Sequence, residues 1–295
     1  GKILFNTYFD GFELKNGSIS AVCATNVQTE EKIKIETSSL VLAVGHSAHK
    51  TYHYLNNNGV ELKQKPFAMG VRIEQSQEMI NASQYGEENK NLPASNYKLA
   101  VHLENGRGVY TFCMCPGGEV INSSSEKDGL AVNGMSYSDR GGSNANSAII
   151  VAVEPEDFGA EGPLAGIAFQ RDLEEKAFRA GKGSIPVQRY GEFAERETSV
   201  VRDTHVPADF EPQTKGTWKF ADLRQLFSES VRNAFIEGME SFDRVIPGFA
   251  DDAVCLLGVE SRTSSPVRIN RDEEFQSEIR GLYPCGEGAG YAGGI

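Results

Sequence analysis

The chain has 295 residues, 39% hydrophobic and 24% charged, with a formal net charge of -12 and a pI near 5.0. That balance describes a soluble globular chain large enough for two domains, and its mean field repels the phosphate backbone of nucleic acids. Apolar runs such as Leu40 to Val44 and Ala148 to Val153 fall far short of the ~18 residues a membrane helix needs.

The start, Gly1-Lys2-Ile3-Leu4-Phe5-Asn6, carries neither the basic region nor the long apolar stretch of an export signal. Ile3-Leu4-Phe5 and Phe12-Glu13-Leu14 read as short strands, and Asn16-Gly17 sets a hairpin turn into Ile19 to Val22. Ile33-Lys34-Ile35 alternates as a further strand, so the N-terminal stretch is an antiparallel meander. Leu40 to Val44 follows, its unbroken apolarity suiting a strand buried on both faces and ending at Gly45. His46, His49 and His53 fall at helical spacing after that glycine and read as partly exposed helix residues, since no acidic ligand joins them.

From about residue 60 to 265 the texture is mixed strand and helix, with glycine-rich loops at Pro116-Gly117-Gly118 and Arg140-Gly141-Gly142. Ala165, Phe169, Leu173 and Ala177 recur every fourth residue, which predicts an amphipathic helix from about Pro163 to Arg179, stopped by Gly181 and Gly183. Leu223, Leu226, Phe227, Val231, Ala234, Phe235 and Phe242 predict a second helix, ended by Pro247-Gly248. Cys113 and Cys115 stand at the spacing that shares one face of a strand. Two thiols with His102 as the nearest third donor do not make a metal site, and structural cysteines stand beside a dithiol as the open readings. The odd total of five cysteines does not match a disulfide scaffold and points to a reducing cytoplasm.

The end of the chain, Gly281-Leu282-Tyr283-Pro284-Cys285-Gly286-Glu287-Gly288-Ala289-Gly290-Tyr291-Ala292-Gly293-Gly294-Ile295, resembles the C-terminal flavin-contacting motif of two-dinucleotide-binding-domain flavoproteins. Leu40 to Ala48 resembles its companion, a strand that returns to the nucleotide-binding sheet and ends in a glycine beside the cofactor. The resemblance implies that FAD is held by Gly45, Gly286, Glu287, Gly288, Ala289 and Gly290, with Glu287 supplying the carboxylate. Backbone N–H groups freed of side chains can then approach the cofactor.

Four further segments narrow the family: Lys65 to Glu74, Phe112 to Gly118, Val132 to Ser136 and Ser261 to Arg268. With the C-terminal stretch they resemble, in order and over the whole chain, a bacterial family usually called uncharacterised FAD-dependent dehydrogenases. Gln75 follows Arg72-Ile73-Glu74 where that pattern has histidine, and no role is assigned to it.

The resemblance implies a fold of mixed α+β and α/β type. Residues 1–58 and 270–295 would be a partial, Rossmann-like FAD-binding domain with its meander, and 59–269 an inserted mixed domain covering the flavin. The family's GxGxxG turn does not occur near the N-terminus here, so the chain reads as a fragment, inactive alone, of an FAD-dependent oxidoreductase acting on a small organic substrate. Whether NAD(P)H reduces it is left open, since a second GxGxxG for a nicotinamide is not evident, and no metal is expected. A remnant sheet with an uncovered edge would favour homo-oligomers. Arg262 either orients an anionic substrate or reduced-flavin charge, as the catalytic residue, or sits in a surface salt bridge. The alternative from another class is a non-catalytic interaction module on a degenerate flavoprotein scaffold.

Overall fold

The computed structural model describes residues 1–86, 92–195 and 210–291, so the last four residues of the glycine-rich C-terminal stretch lie outside it. The fold is mixed α+β. In chain order the elements are β1 (Thr7–Lys15), β2 (Ser18–Asn26), β3 (Lys32–Glu36), β4 (Leu40–Leu42), α1 (His49–Asn57), β5 (Leu62–Gln64), β6 (Phe67–Ser76) and α2 (Gln77–Tyr85). There follow β7 (Ala100–His102), β8 (Gly108–Cys115), β9 (Gly118–Asn122), β10 (Val132–Ser136), β11 (Asn144–Val153), α3 (Ala165–Gly181), β12 (Ile185–Arg189) and α4 (Tyr190–Phe193). The remainder are β13 (Thr214–Lys215), β14 (Trp218–Phe220), α5 (Glu229–Asp243), β15 (Cys255–Glu260), β16 (Val267–Ile269) and β17 (Leu282–Pro284).

These elements fall into two compact units. The first comprises residues 1–67, 154–169 and 262–295, and the second 68–153 and 170–261. Residues 59–67, 154–169 and 262–269, which the sequence places in the inserted stretch, thus count with the terminal segments. One physical reason is aromatic packing: Phe67, Phe158 and Phe169 meet at ring-centroid separations of 5.5 to 6.2 Å.

In the first unit the meander forms as expected, in the order β1-β2-β3. Asn16 (φ 53°) and Gly17 (φ 76°) both take the left-handed conformation that a two-residue hairpin loop requires, pairing Lys15 with Ser18. No strand forms at residues 3–5: Ile3 and Phe5 are 75% and 76% exposed, and pairing begins at Thr7. β4 pairs in parallel with β17 in the register Leu40 to Leu282, and β5 pairs antiparallel with β16. β4 is not buried on both faces. Leu42 joins the core while Val41 is 64% exposed, because successive strand side chains point to opposite faces and one of these faces is uncovered. Leu42, Tyr52, Leu55, Val267, Ile269, Leu282 and Ala289 belong to a single apolar cluster, which fixes the ends of β4 and β17 against α1 and β16.

The second unit is built on a seven-stranded sheet, order β14-β12-β15-β6-β11-β8-β7, and a three-stranded sheet, order β10-β9-β13. Helix α5 packs on β7, β8 and β11. The second predicted helix is interrupted. A 3-10 turn (Leu223–Leu226), capped by the Asp222 side chain on Arg224 N, leads to Phe227 and Ser228 in extended conformation before α5 begins. Ser228 has the residue type and geometry of a helix N-cap, which breaks the run that hydrophobic spacing alone makes continuous.

β6 is buried along nearly its whole length, polar residues included. Gln75 points toward α5's side of the sheet, donating to Phe249 O (2.9 Å) and accepting from Tyr97 OH (3.1 Å). Arg72 and Glu74 face the other way, into a polar layer. Arg72, 0% exposed, donates from Nε and Nη2 to the two carboxylate oxygens of Glu260 (2.7 and 3.3 Å). It also donates to Asn133 Oδ1 (2.8 Å), Asn146 Oδ1 (3.2 Å) and the Cys113 carbonyl (2.6 Å). Glu74 accepts from Gln213 N (2.8 Å) and Asn144 Nδ2 (3.4 Å) on one oxygen, and its other oxygen meets no hydrogen-bond donor. Burial pushes its carboxyl up to about 8, the donors around it opposing.

Two outcomes follow for stability. Arg72→Ala leaves Glu260 as a buried unpaired charge and lowers the unfolding free energy by about 3–5 kcal/mol. The double variant Arg72→Met, Glu260→Leu loses less than Arg72→Ala does, and urea unfolding of the three proteins measures both. For Glu74 the folded state keeps a proton that the unfolded chain releases near its ordinary 4.5. Stability contributed by this group is therefore present at low pH and is lost as pH rises from there through about 8. Glu74→Gln, which mimics the protonated form, flattens this decline. Urea midpoints from about pH 5 to about pH 9 test it, and equal slopes in the two proteins would refute the assignment.

Candidate functional site

The sequence-predicted residues converge at the C-terminal ends of β4 and β17 in the first unit. Parallel pairing places the two strand exits side by side, and Cys285 N donates to Leu42 O (3.0 Å) to hold them there. Each chain then turns through a left-handed glycine, Gly45 (φ 71°) and Gly286 (φ 74°). A Cβ built on either would enter open space. Gly288 differs: its Cβ would lie 2.5 Å from the Gly45 carbonyl oxygen, so the two loops touch through a position only glycine fits. Gly286 to Gly290 forms successive turns, closed by Gly290 N donating to Glu287 O (2.9 Å).

Tyr52 of α1 locks this arrangement. Its fully buried hydroxyl is hydrogen-bonded to the carbonyls of both Gly45 (2.9 Å) and Gly288 (2.7 Å). Burial pushes the phenol up to about 12, with Ser265 opposing and Glu287 adding to the rise. Ser265 Oγ reaches the same Gly288 carbonyl at 3.1 Å. Ala289 is buried, and its carbonyl accepts from Ile269 N (3.1 Å), which ties the glycine-rich segment to β16.

The charged groups are only partly covered. Glu287 has a side chain 30% exposed, and His46 Nδ1 approaches its Oε1 to 3.0 Å. His46 therefore lies outside α1, which begins at His49 behind Ala48, because the left-handed turn at Gly45 delays the helix. The α1 N-terminus has no side-chain cap and no acidic residue in its first turn. Arg262, half-buried, donates to Ser47 Oγ at 3.0 Å, so the predicted catalytic arginine stands against the loop that follows β4. Burial, with Arg268 beside it, pulls Lys65 below the usual ammonium range, and Glu287 opposes. Arg268 and Arg271 both stack on the Tyr291 ring, at 5.0 and 3.6 Å from its centroid, and Arg271 donates to Pro284 O (3.0 Å).

All seven sequence-predicted site residues are thus gathered, and none belongs to the second unit. Sequence reasoning missed Tyr52, His46 as the neighbour of Glu287, and the cations Lys65, Arg268 and Arg271. Lys65 and Arg268 end two of the segments that carry the family resemblance. Tyr52 had no signal, since a helical tyrosine seven residues after a glycine is ordinary. A surface cavity of about 460 Å³, lined by Gln64, Pro155, Glu156 and residues 159–162, shares no residue with this cluster. Among the described residues no group of three or more His, Cys, Asp and Glu side chains is arranged to hold a metal, and no helix is long and apolar enough to cross a membrane.

Tyr52→Phe removes the hydroxyl that bridges the two carbonyls, leaving Gly288 O with Ser265 Oγ and Gly45 O without its Tyr52 donor. It is expected to lower stability by about 1–3 kcal/mol, read as a fall in the urea midpoint; an unchanged midpoint would show that the hydroxyl does not hold the loops.

A family described as FAD-dependent protein, C-terminal domain-like, matches residues 66–263. A protein of Clostridium beijerinckii described as uncharacterized is 42% identical over 301 residues, covering 100% of this chain and 54% of its own length. The chain spans about half the length of that curated relative. Among solved structures, an FAD-complexed glycerol-3-phosphate dehydrogenase of Bacillus halodurans covers 97% of this chain and 35% of its own, at 10% identity and a TM-score of 0.34. The substrate-free rebeccamycin biosynthetic enzyme covers 54% of this chain and 24% of its own, at 9% identity and a TM-score of 0.26. Similarity of that size does not establish a shared fold. The match over residues 66–263 and the relationship to the clostridial protein along the whole chain carry the assignment: this chain belongs to the FAD-dependent protein, C-terminal domain-like family.

Proposed function

We propose that this chain supplies one wall of the FAD site in an oxidoreductase that moves electrons between a small organic substrate and the flavin. The observation that carries the reading is the pair of strand exits at Gly45 and Gly286, where two left-handed glycines leave open space side by side. A cofactor can approach the backbone there as it cannot where a side chain intervenes. The donor set fits the group: an uncapped helix N-terminus and several cations suit its phosphates, and a part-exposed carboxylate suits its hydroxyls.

In this reading Gly45, Gly286, Gly288, Ala289 and Gly290 shape the surface the cofactor lies on. Glu287 accepts a hydrogen bond from it, with His46 beside the carboxylate. Tyr52 sets the spacing of the two loops without meeting the cofactor. When bound, FAD supplies the redox chemistry, accepting or donating the electrons that the protein's own side chains cannot. Arg262, anchored on Ser47, orients an anionic group of the substrate or opposes negative charge on the reduced cofactor. NAD(P)H is the reductant to test first.

The experiment is the visible absorbance spectrum after FAD addition and desalting, for this chain and for a protein of the clostridial relative's length. A flavin band retained by the longer protein is expected. Its absence from both would overturn the reading in favour of a non-catalytic interaction module. In the protein that retains the band, Glu287→Gln should weaken FAD binding by about 10- to 150-fold, as loss of a charge-assisted hydrogen bond of about 1.5–3 kcal/mol implies. Arg262→Ala should keep the band and lose turnover, and unchanged turnover would remove Arg262 from the mechanism.

A further inference from the structure

We propose that Cys113 and Cys115 form a thiol–disulfide exchange site, closing an intramolecular disulfide at the expense of small disulfides of the glutathione class. The two residues sit at the end of β8, where the strand is irregular. Cys115 pairs with Asn146 and Phe112 with Ala148, so Cys113 and Met114 together oppose Ser147 alone. That is a bulge, and its first residue, Cys113, has φ 44°, a left-handed conformation that side-chain-bearing residues adopt at a cost. Strain of this kind concentrates where a local geometry is used.

A regular strand holds residues i and i+2 about 6.8 Å apart, at the outer limit of what a disulfide spans. Here the Cys115 sulfur folds back and donates to the carbonyl of Cys113 itself at 3.3 Å. Cys113 is exposed to an incoming molecule, and Cys115 is partly covered behind it. The Arg72 guanidinium lies 4.0 Å from the Cys115 sulfur and 2.6 Å from the Cys113 carbonyl oxygen, and its charge opposes the rise that burial imposes on the Cys115 thiol. The thiol of Cys255 in the same unit is fully buried, and burial pushes it up to about 12, which removes it as a competitor.

The exchange takes two steps. The Cys113 thiolate attacks one sulfur of the small disulfide, the S–S bond breaks, and the other half leaves as a thiolate that takes up a proton. The Cys115 thiolate then attacks the Cys113 sulfur of the mixed disulfide and expels the second half, again as a thiol. Two cysteine thiols are oxidised, one small disulfide is reduced to two thiols, and the two cysteine protons end on the leaving sulfurs. The ring so formed removes the S–H donor from the Cys113 carbonyl, which is also an acceptor of Arg72.

Both cysteines fall in a single tryptic peptide, residues 108–127. The wild-type chain, treated with oxidised glutathione and then alkylated, is expected to give that peptide lighter by two hydrogens and unalkylated, and dithiothreitol should reverse this. Cys115→Ser should lose the closed form and accumulate glutathione on Cys113. A wild-type peptide that stays fully alkylated, or that holds glutathione as stably as the variant does, would overturn the proposal. The wild-type result decides alone, so a variant that fails to fold does not obscure it.

Discussion

A guanidinium presents five N–H donors in one plane, and the acceptors that meet Arg72 come from four different strands besides its own. Glu260 belongs to β15, Asn133 to β10, Asn146 to β11 and Cys113 to β8, so one side chain of β6 ties the seven-stranded sheet to the three-stranded one. A lysine could offer three donors from a point, without the fork that matches both oxygens of Glu260. Gly134 of β10 belongs to the same constraint: a Cβ there would lie 2.5 Å from Arg72 Nη1 and 2.3 Å from Asn146 Oδ1. The geometry of a carboxylate, two amides and a carbonyl around one cation fixes the register of every strand that contributes. The hydrophobic side of the same sheet, where α5 packs, could tolerate exchange of one apolar residue for another far more readily.

A polar layer of this kind is expensive to bury, since desolvating an arginine and two carboxylates offsets much of what their pairing contributes. Glu74 shows the imbalance most plainly. It has only one satisfied oxygen, and the chain resolves the cost by holding the carboxyl protonated near neutral pH. Arg72 and Glu74 stand two residues apart on one strand face and meet the same low-dielectric layer with opposite outcomes, because Glu260 accompanies the first and, among the described residues, no cation contacts the second. The proposed disulfide at Cys113 sits on the satisfied side of this layer, where a change in one acceptor is felt by four others.

Legibility in the sequence follows the range over which each feature is decided. The hairpin at Asn16-Gly17 is settled by two backbone conformations that those residues favour, and α3 by a four-residue period and two glycines, so both read directly. The 223–242 stretch reads as one helix because the 3-10 turn and α5 bury residues at compatible spacings, and only the extended Phe227 and Ser228 divide them. Val71-Arg72-Ile73-Glu74 alternates like a strand with one face in water, yet all four residues are buried, since the polar face is covered by a second sheet that no local pattern reveals. The site residues were legible through resemblance rather than periodicity. Tyr52 escaped because its role depends on a pairing between β4 and β17, which are distant in the chain.

The glycine-rich segment also separates two reasons for having no side chain. At Gly288 an added methyl would strike the Gly45 carbonyl, and at Gly290, left-handed at φ 82°, it would lie 2.7 Å from the Val267 carbonyl; these glycines serve chain-to-chain packing. At Gly45 and Gly286 it would strike nothing, although both have the left-handed conformation that strains other residues. Replacement at the first pair therefore breaks the frame whatever the ligand. Replacement at the second pair strains the turn without meeting the chain, as it would at Gly17 of the hairpin, so only on the proposed reading does the open space there matter to a ligand.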